Sequence, residues 1–361
     1  MLENWKEIME CPDDRVMQED MDRIAETFPH VEAFRDKTVL VTGATGLIGS
    51  QVVRALAAMN RKRDSHIRVL AVVRDADKAK KVFGSLLDRG DVALVLGDME
   101  TPLAVNEPVD YIVHGASPTG SRFFVEHPVE TIRTALGGTE HLLTLARDKQ
   151  VTKMVYLSSL EVYGTPSKEQ EWMTETEFGQ LDPAKVRSSY SESKRMAECL
   201  CVSYASEYGV PVCMASLSQT FGPGVNYEDG RVFMDFARCA LEQRDVVLHT
   251  QGRTVRTYLY TRDAVMALLY LLARGEAGQA YNVTNRDTAI SILNMARLVC
   301  KTIGQKKIQV QIDAPEDVED FGYNPEMVIR LDPSRLEALG WTATTGLEEM
   351  FARMCARWTD R

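Results

Sequence analysis

The sequence predicts an α/β protein, a doubly wound parallel sheet with a smaller lobe interleaved at its C-terminal end. Three observations predict it. From Lys37 onward, apolar runs of strand length alternate with helical segments. Those runs are rich in β-branched residues and apolar throughout, as strands covered on both faces are. After Thr220 the alternation weakens and turn residues cluster in FGPGVNYEDG, which marks the change to a second lobe. A chain of 361 residues is long enough to bury such a core without disulfides or metals.

The elements follow in order. Residues 1–35 read as one or two short helices, because Val16, Met17, Met21, Ile24 and Phe28 recur at roughly helical spacing. TVLVTG is the first strand and runs into a helix from about Leu47 to Met59. IRVLAVV is the second, with a helix from about Asp77 to Leu87 behind it. VALVLG and DYIVHGAS are the next two strands, followed by a long helix over Pro128–Asp148. TKMVYLSS, a helix from about Ser189 to Tyr208, and PVCMASLS continue the pattern. Beyond Thr220 the expected elements are helices near Phe233–Gln243 and Asp263–Ala273, the strand AYNVTN, a helix over Ile290–Ile303, and a final helix after DPSRLEALGW.

Composition narrows the function. Asp and Glu outnumber Lys and Arg 52 to 42, for a formal charge of -10, which argues against a general nucleic-acid binder. The longest strongly apolar run, about Ala264–Ala273, is far short of a membrane span. The polar, acidic start MLENWKEIMECPDD is unlike a signal peptide. The seven cysteines form no CxxC and the histidines show no HxH or HxxxH spacing. Reduced structural thiols, a cytoplasmic location and no metal site are therefore expected.

Two motifs carry chemistry. In VLVTGATGLIG, Gly43, Gly46 and Gly49 lie between a clear strand and a clear helix. Glycines there let the backbone approach a pyrophosphate at the positive helix end. Thr45, Leu47 and Ile48 belong to the same turn and are expected to line a dinucleotide. The second strand ends in VVRDADKAK, where NAD-preferring sites place an acid for the ribose hydroxyls. Arg74 stands there, followed by Asp75, and an arginine with Lys78 nearby could instead pair with a 2′-phosphate. The plain alternative is a solvated loop cation. The second motif is Tyr190-Ser-Glu-Ser-Lys194, whose i, i+4 spacing puts both side chains on one helix face. A lysine cation there favours the phenolate, so the tyrosine can act as a base near neutral pH. Ser159, in YLSSLEVYG at the end of the fifth strand, supplies a matching hydroxyl.

The GxxGxxG spacing, SSxxVYG and YxxxK in this order resemble the extended branch of the short-chain dehydrogenase/reductase superfamily. Within it the chain resembles the NAD-dependent epimerase/dehydratase family of nucleotide-sugar enzymes. The resemblance implies a Rossmann-type domain at 36–218 with return segments near 255–285. It further implies a mainly substrate-binding lobe at 219–361, and leaves the N-terminal helical extension at 1–35 outside its span. It implies that Asp98 and Met99 in LGDME meet the adenine, and that Gly115, Ala116 and Ser117 after His114 line the cofactor. Tyr190 becomes the base for a sugar hydroxyl, usually at C4. Lys194 becomes the group that holds the nicotinamide ribose, and Ser159 the hydrogen-bond donor to the reacting oxygen. Gln219 stands where the family has a substrate-binding Asn, and Arg231 and Arg256 match residues that grip the substrate. NAD is the implied cofactor, with NADP open because of Arg74. A nucleotide-sugar substrate and a homodimer through the helices near Pro128–Asp148 and Ser189–Tyr208 are implied partners.

The motifs SPT after HGA, SxxEVYG, YSESKRMAE and EDGRV are most similar to UDP-glucuronate decarboxylases, which use a Glu and an Arg near the sugar carboxylate, here Glu161 and Arg231. Those enzymes carry Ser or Thr where this chain has Leu160. A nucleotide-sugar 4-epimerase needs only Ser, Tyr and Lys and remains open. So does an NADPH-dependent reductase of a keto sugar, on the strength of Arg74. A 4,6-dehydratase would need the Asp–Glu pair that Leu160-Glu161 does not provide.

Overall fold

In the computed structural model, residues 6–167, 169–314 and 326–359 are described. Strands β1 (Thr38–Thr42), β2 (Arg68–Val73), β3 (Val92–Leu96), β4 (Tyr111–His114), β5 (Lys153–Ser159) and β6 (Val212–Leu217) pair in parallel. The chain then leaves the sheet for β7 (Gln219–Phe221), β8 (Val246–Leu248) and β9 (Val255–Tyr260), and returns as β10 (Ala280–Val283) beside β6. The spatial order is β3-β2-β1-β4-β5-β6-β10, a doubly wound sheet as the sequence pattern predicts. Order reverses between β1 and β4, so their C-terminal ends open the crevice where such sheets bind ligands.

The helices follow the expected positions closely. They are α1 (Arg15–Thr27), α2 (Leu47–Arg63), α3 (Ala76–Phe83), α4 (Ser121–Glu126), α5 (Pro128–Asp148) and α6 (Ser188–Tyr208). In the second part come α7 (Val232–Leu241), α8 (Thr261–Arg274), α9 (Ile292–Thr302), α10 (Ser334–Glu337) and α11 (Leu347–Thr359). The helix expected at Asp77–Leu87 ends earlier, because Gly84 at φ +52 breaks the α-helix into a 3₁₀ turn.

The return segment expected near 255–285 divides. Strand β10 joins the main sheet and α8 packs into its core, where Ala264, Val265, Leu268 and Leu272 cluster with Val39 and Val41. Strand β9 instead belongs to the smaller lobe: it pairs with β7, with β11 (Asn285–Ser291), and with β13 (Val328–Ile329), while β12 (Val310–Ile312) pairs with β8. The alternation of β9 explains its place at the seam. Tyr258 and Tyr260 face the lobe core with Phe221 and Phe233, and Leu259 faces the main core.

The N-terminal extension packs on the main domain. Helix α1 packs on α2, α8 and α11. Its Asp20 is fully buried, accepts from the Tyr260 hydroxyl at 2.5 Å and pairs with Arg353 (2.9 Å) and Arg262 (3.1 Å). Glu10, just before α1, meets the buried Arg89 at 2.7 Å, which in turn pairs with Asp91 at 2.6 Å. Unpaired, each of these buried charges would cost several kcal/mol, so the extension and the sheet edge are mutually required.

Candidate active site

The crevice at the switch point is built from the β1–α2 turn and the loop after β4. Gly43 adopts φ +65, and a Cβ there would lie 2.7 Å from the Gly115 carbonyl carbon. A Cβ on Gly49 would come within 2.3 Å of the Gly43 oxygen. Only glycine lets the two loops and the helix start approach this closely. Gly46 begins α2 without any side-chain cap, which leaves that helix end free to receive a phosphate. Thr45, Leu47 and Ile48 are partly exposed along the same turn, as are Gly115, Ala116 and Ser117 across the crevice. This donor set and this cradle fit a dinucleotide.

Arg74 is exposed at the end of β2, without a hydrogen bond or ion pair among the described residues. Asp75 is committed elsewhere. Its carboxylate caps α3, accepting from the amides of Asp77 and Lys78 at 2.9 Å. Asp98 accepts from the Glu100 amide at 3.0 Å, in a turn that leaves it half-buried. Met99 is buried against α5, where a Cβ on Gly138 would meet it at 2.7 Å.

Beneath the loop after β4, His114 forms a relay that sequence reading did not supply. The Ala116 amide donates to Thr42 Oγ1 at 3.2 Å, and that hydroxyl is 2.8 Å from His114 Nδ1. His114 Nε2 lies 3.3 Å from Thr139 Oγ1, which donates to the Ala135 carbonyl at 2.6 Å. Thr139 spends its one hydrogen on Ala135, so Nε2–H donates to it; burial keeps the imidazole neutral, so Nδ1 accepts from the Thr42 hydroxyl. Burial, with the Lys194 charge second, pushes His114 down to about 3.

Ser159, Tyr190 and Lys194 converge where β5 ends and α6 begins. Ser159 hydrogen-bonds the Tyr190 phenol and also accepts from the Glu161 amide at 3.2 Å. Lys194 is buried, donates to the Leu157 carbonyl at 2.8 Å, and stands 4.6 Å over the Tyr156 ring and 5.8 Å from the Tyr190 ring centre. Burial pulls the Lys194 ammonium down to about 8, with Glu198 opposing. Burial pushes the Tyr190 phenol up to about 12, and Glu161 adds to the rise, while Ser159 and Arg187 oppose it. The expected near-neutral tyrosine base is therefore not produced by protein groups alone, because desolvation of the phenolate outweighs them.

Glu161 and Arg231, read together from the sequence, have different partners. Glu161 accepts from Arg187 Nη2 at 2.8 Å and from Ser191 Oγ at 3.0 Å. Arg231 forms a fork with Asp229, at 3.0 Å to Oδ1 and 2.7 Å to Oδ2, and stacks over Phe233. Gln219 Oε1 and Arg256 Nε, on neighbouring strands β7 and β9, are buried polar atoms without a hydrogen-bond partner among the described residues. Leu160 does not line this polar group. It packs with Val162, Tyr163, Met173, Ile329 and Leu331 in a separate apolar cluster.

Phe124, Arg187 and Ser191 went unread in the sequence. Phe124 stacks on Tyr190, ring centres 4.1 Å and planes 11° apart, and Arg187 lies 5.0 Å over Phe124. Arg187 stands three residues before Tyr190 and Ser191 one after it, a proximity that alone could have drawn notice. Phe124 comes from α4 and carries no local signal.

Comparison with known proteins places the chain in a family and a fold. The family described as NAD dependent epimerase/dehydratase matches residues 39–284. A UDP-glucuronic acid decarboxylase 6 of Arabidopsis thaliana is 31% identical over 86% of this chain and 85% of its own. Among solved structures, the UDP-glucose 4-epimerase of Thermotoga maritima with UDP-glucose superposes at a TM-score of 0.73, with 20% identity, over 90% of this chain and 99% of that one. The UDP-glucuronic acid 4-epimerase of Bacillus cereus in complex with NAD gives 0.71 and 19%, over 90% and 99%. At such identities the solved structures establish the fold.

Proposed function

This chain belongs to the NAD-dependent epimerase/dehydratase family, and we propose that it oxidises a nucleotide sugar at C4 and carries the keto intermediate on in the manner of a UDP-glucuronate decarboxylase. The observation that carries the reading is the convergence of Ser159, Tyr190 and Lys194 beside a glycine cradle built for a dinucleotide. Bound NAD would supply the hydride acceptor and later the hydride donor. Tyr190 takes the C4 hydroxyl proton, Ser159 hydrogen-bonds that oxygen, and Lys194 holds the ribose and favours the phenolate. Gln219 and Arg256 present unpaired polar atoms to the nucleotide sugar. Arg231, at the start of α7 with its guanidinium forked on Asp229, is the third residue of this set.

Decarboxylation is favoured by the likeness to the Arabidopsis enzyme and by Glu161, a carboxylate felt at Tyr190. The second reading is 4-epimerisation, favoured by Leu160 lying in an apolar cluster rather than offering a hydroxyl. Homodimerisation through α5 and α6 belongs to the same proposal, supported by the exposed apolar Val129, Ile132, Met196 and Val202. The cytoplasm is the proposed location, in keeping with the free cysteines. Among the described residues no helix is long and apolar enough to cross a membrane.

The test is a panel of nucleotide sugars, followed by bound-cofactor absorbance and carbon dioxide release. Transient cofactor reduction with UDP-glucuronate and release of carbon dioxide are expected. Interconversion of a C4 epimer pair without carbon dioxide would establish the second reading instead.

A further inference from the structure

We propose that Arg187 is a positioning residue of this site: its ion pair with Glu161 and its stacking over Phe124 hold the carboxylate and the ring that border the Tyr190 phenol, and its charge offsets Glu161. The inference rests on the reading of Tyr190 as the base. Arg187 Nη2 donates to Glu161 Oε1 at 2.8 Å while its guanidinium lies 5.0 Å over Phe124. Phe124 in turn is stacked on Tyr190 at 4.1 Å. The second carboxylate oxygen of Glu161 accepts from Ser191 Oγ at 3.0 Å, so neither oxygen is free to turn. Two fixed contacts per group define one geometry, which is what a preorganised site requires. Lysine could not replace the planar fork that both stacks and donates.

The electrostatic role follows from the same contacts. Glu161 opposes ionisation of Tyr190, and Arg187 favours it. With Arg187 gone, an uncompensated carboxylate would remain beside a phenol that must lose a proton. The other groups facing Tyr190 are accounted for. From β5 come Ser159 and the neutral Tyr156, and from α6 come Lys194 and, behind it, Glu198. From β4 comes neutral His114. On α4, Arg122 and Glu126 pair with each other at 2.7 Å on the surface.

The test follows Tyr190 directly, by fluorine NMR of NAD-loaded protein carrying ring-fluorinated tyrosine. Ring fluorination lowers the phenol titration, and the Tyr190 signal is the one lost in Tyr190→Phe. In Arg187→Gln its titration should move up by about 0.5–1 pH unit, and return in Arg187→Gln/Glu161→Gln. Glu161→Gln alone should move it down, which keeps the proposal open to test if Arg187→Gln folds poorly. In turnover, kcat at neutral pH should fall about 3–10-fold in Arg187→Gln, matching that shift, with cofactor affinity unchanged. Arg187→Lys should restore the titration but not the full kcat, because the charge returns without the fork. A Tyr190 titration unmoved in both Arg187→Gln and Glu161→Gln would overturn the proposal. Wild-type protein inactive on every nucleotide sugar, with the titration shifts present, would overturn the proposed function alone.

Discussion

Thr42 Oγ1 stands 2.8 Å from His114 Nδ1 and at the same time accepts from the Ala116 amide, so a neutral imidazole on β4 sets the backbone of a loop that faces the cofactor crevice. Two strands that neighbour each other at the switch point are thereby tied to the loop that follows β4.

Thr42→Val should weaken NAD binding and lower stability together. It leaves the Ala116 amide and His114 Nδ1 without a partner in a buried place, at about 1–3 kcal/mol. NAD titration and thermal melts check both. The pH dependence has a definite sign. His114 falls from 6.5 to about 3 on folding, so below pH 6.5 the unfolded chain binds a proton that the folded protein refuses. Stability should therefore be lost as pH falls through that window, by at most about 1.4 kcal/mol per pH unit. His114→Asn should show a shallower loss in denaturant titrations above and below pH 6.5.

Lys194 predicts a conflict between stability and activity. Its ammonium falls from 10.5 to about 8, with burial as the largest cause. Between those values the unfolded chain holds the proton and the folded protein does not, so stability should rise with pH across that window. Below about 8 the protein carries a charged, desolvated lysine. Lys194→Met should accordingly raise the Tm of the cofactor-free protein at neutral pH, while turnover falls by about 10²-fold or more. Tyr190→Phe should lose turnover on a similar scale and still bind NAD. A lower Tm in Lys194→Met would show that its bond to the Leu157 carbonyl outweighs desolvation.

Arg74 separates the cofactors. An exposed guanidinium without a partner among the described residues is available to a 2′-phosphate. If it serves that end, Arg74→Ala should weaken NADP by roughly 1.5–3 kcal/mol and leave NAD nearly unchanged. Calorimetric titration of both cofactors into both proteins decides between this and a solvated loop cation, for which neither affinity moves.

Leu160 and Glu161 are neighbours in sequence with opposite environments. Leu160→Ser should cost about 2–5 kcal/mol, because it empties a place in the cluster with Met173, Ile329 and Leu331 and buries a hydroxyl there. No gain in carbon dioxide release is expected from it. Glu161→Gln should suppress carbon dioxide release from UDP-glucuronate more than it suppresses cofactor reduction, since Ser159, Tyr190 and Lys194 are untouched. Equal loss of both would assign Glu161 to hydride transfer instead.

The doubly wound sheet was legible because its signals are local. Continuous apolar runs in β1–β6, the glycines between β1 and α2, and the Tyr190–Lys194 spacing each lie within one turn or one element, where sterics and periodicity act on neighbours in sequence. What lay between elements was not legible. That Arg187 rather than Arg231 pairs with Glu161, that Phe124 lies on Tyr190, and that Asp20 anchors the extension to Tyr260 and Arg353 all depend on contacts between distant segments. Charge follows the same division. Spacing placed Lys194 one helical turn from Tyr190, yet only the packed fold decided how far each is desolvated, and desolvation is the largest influence on both groups.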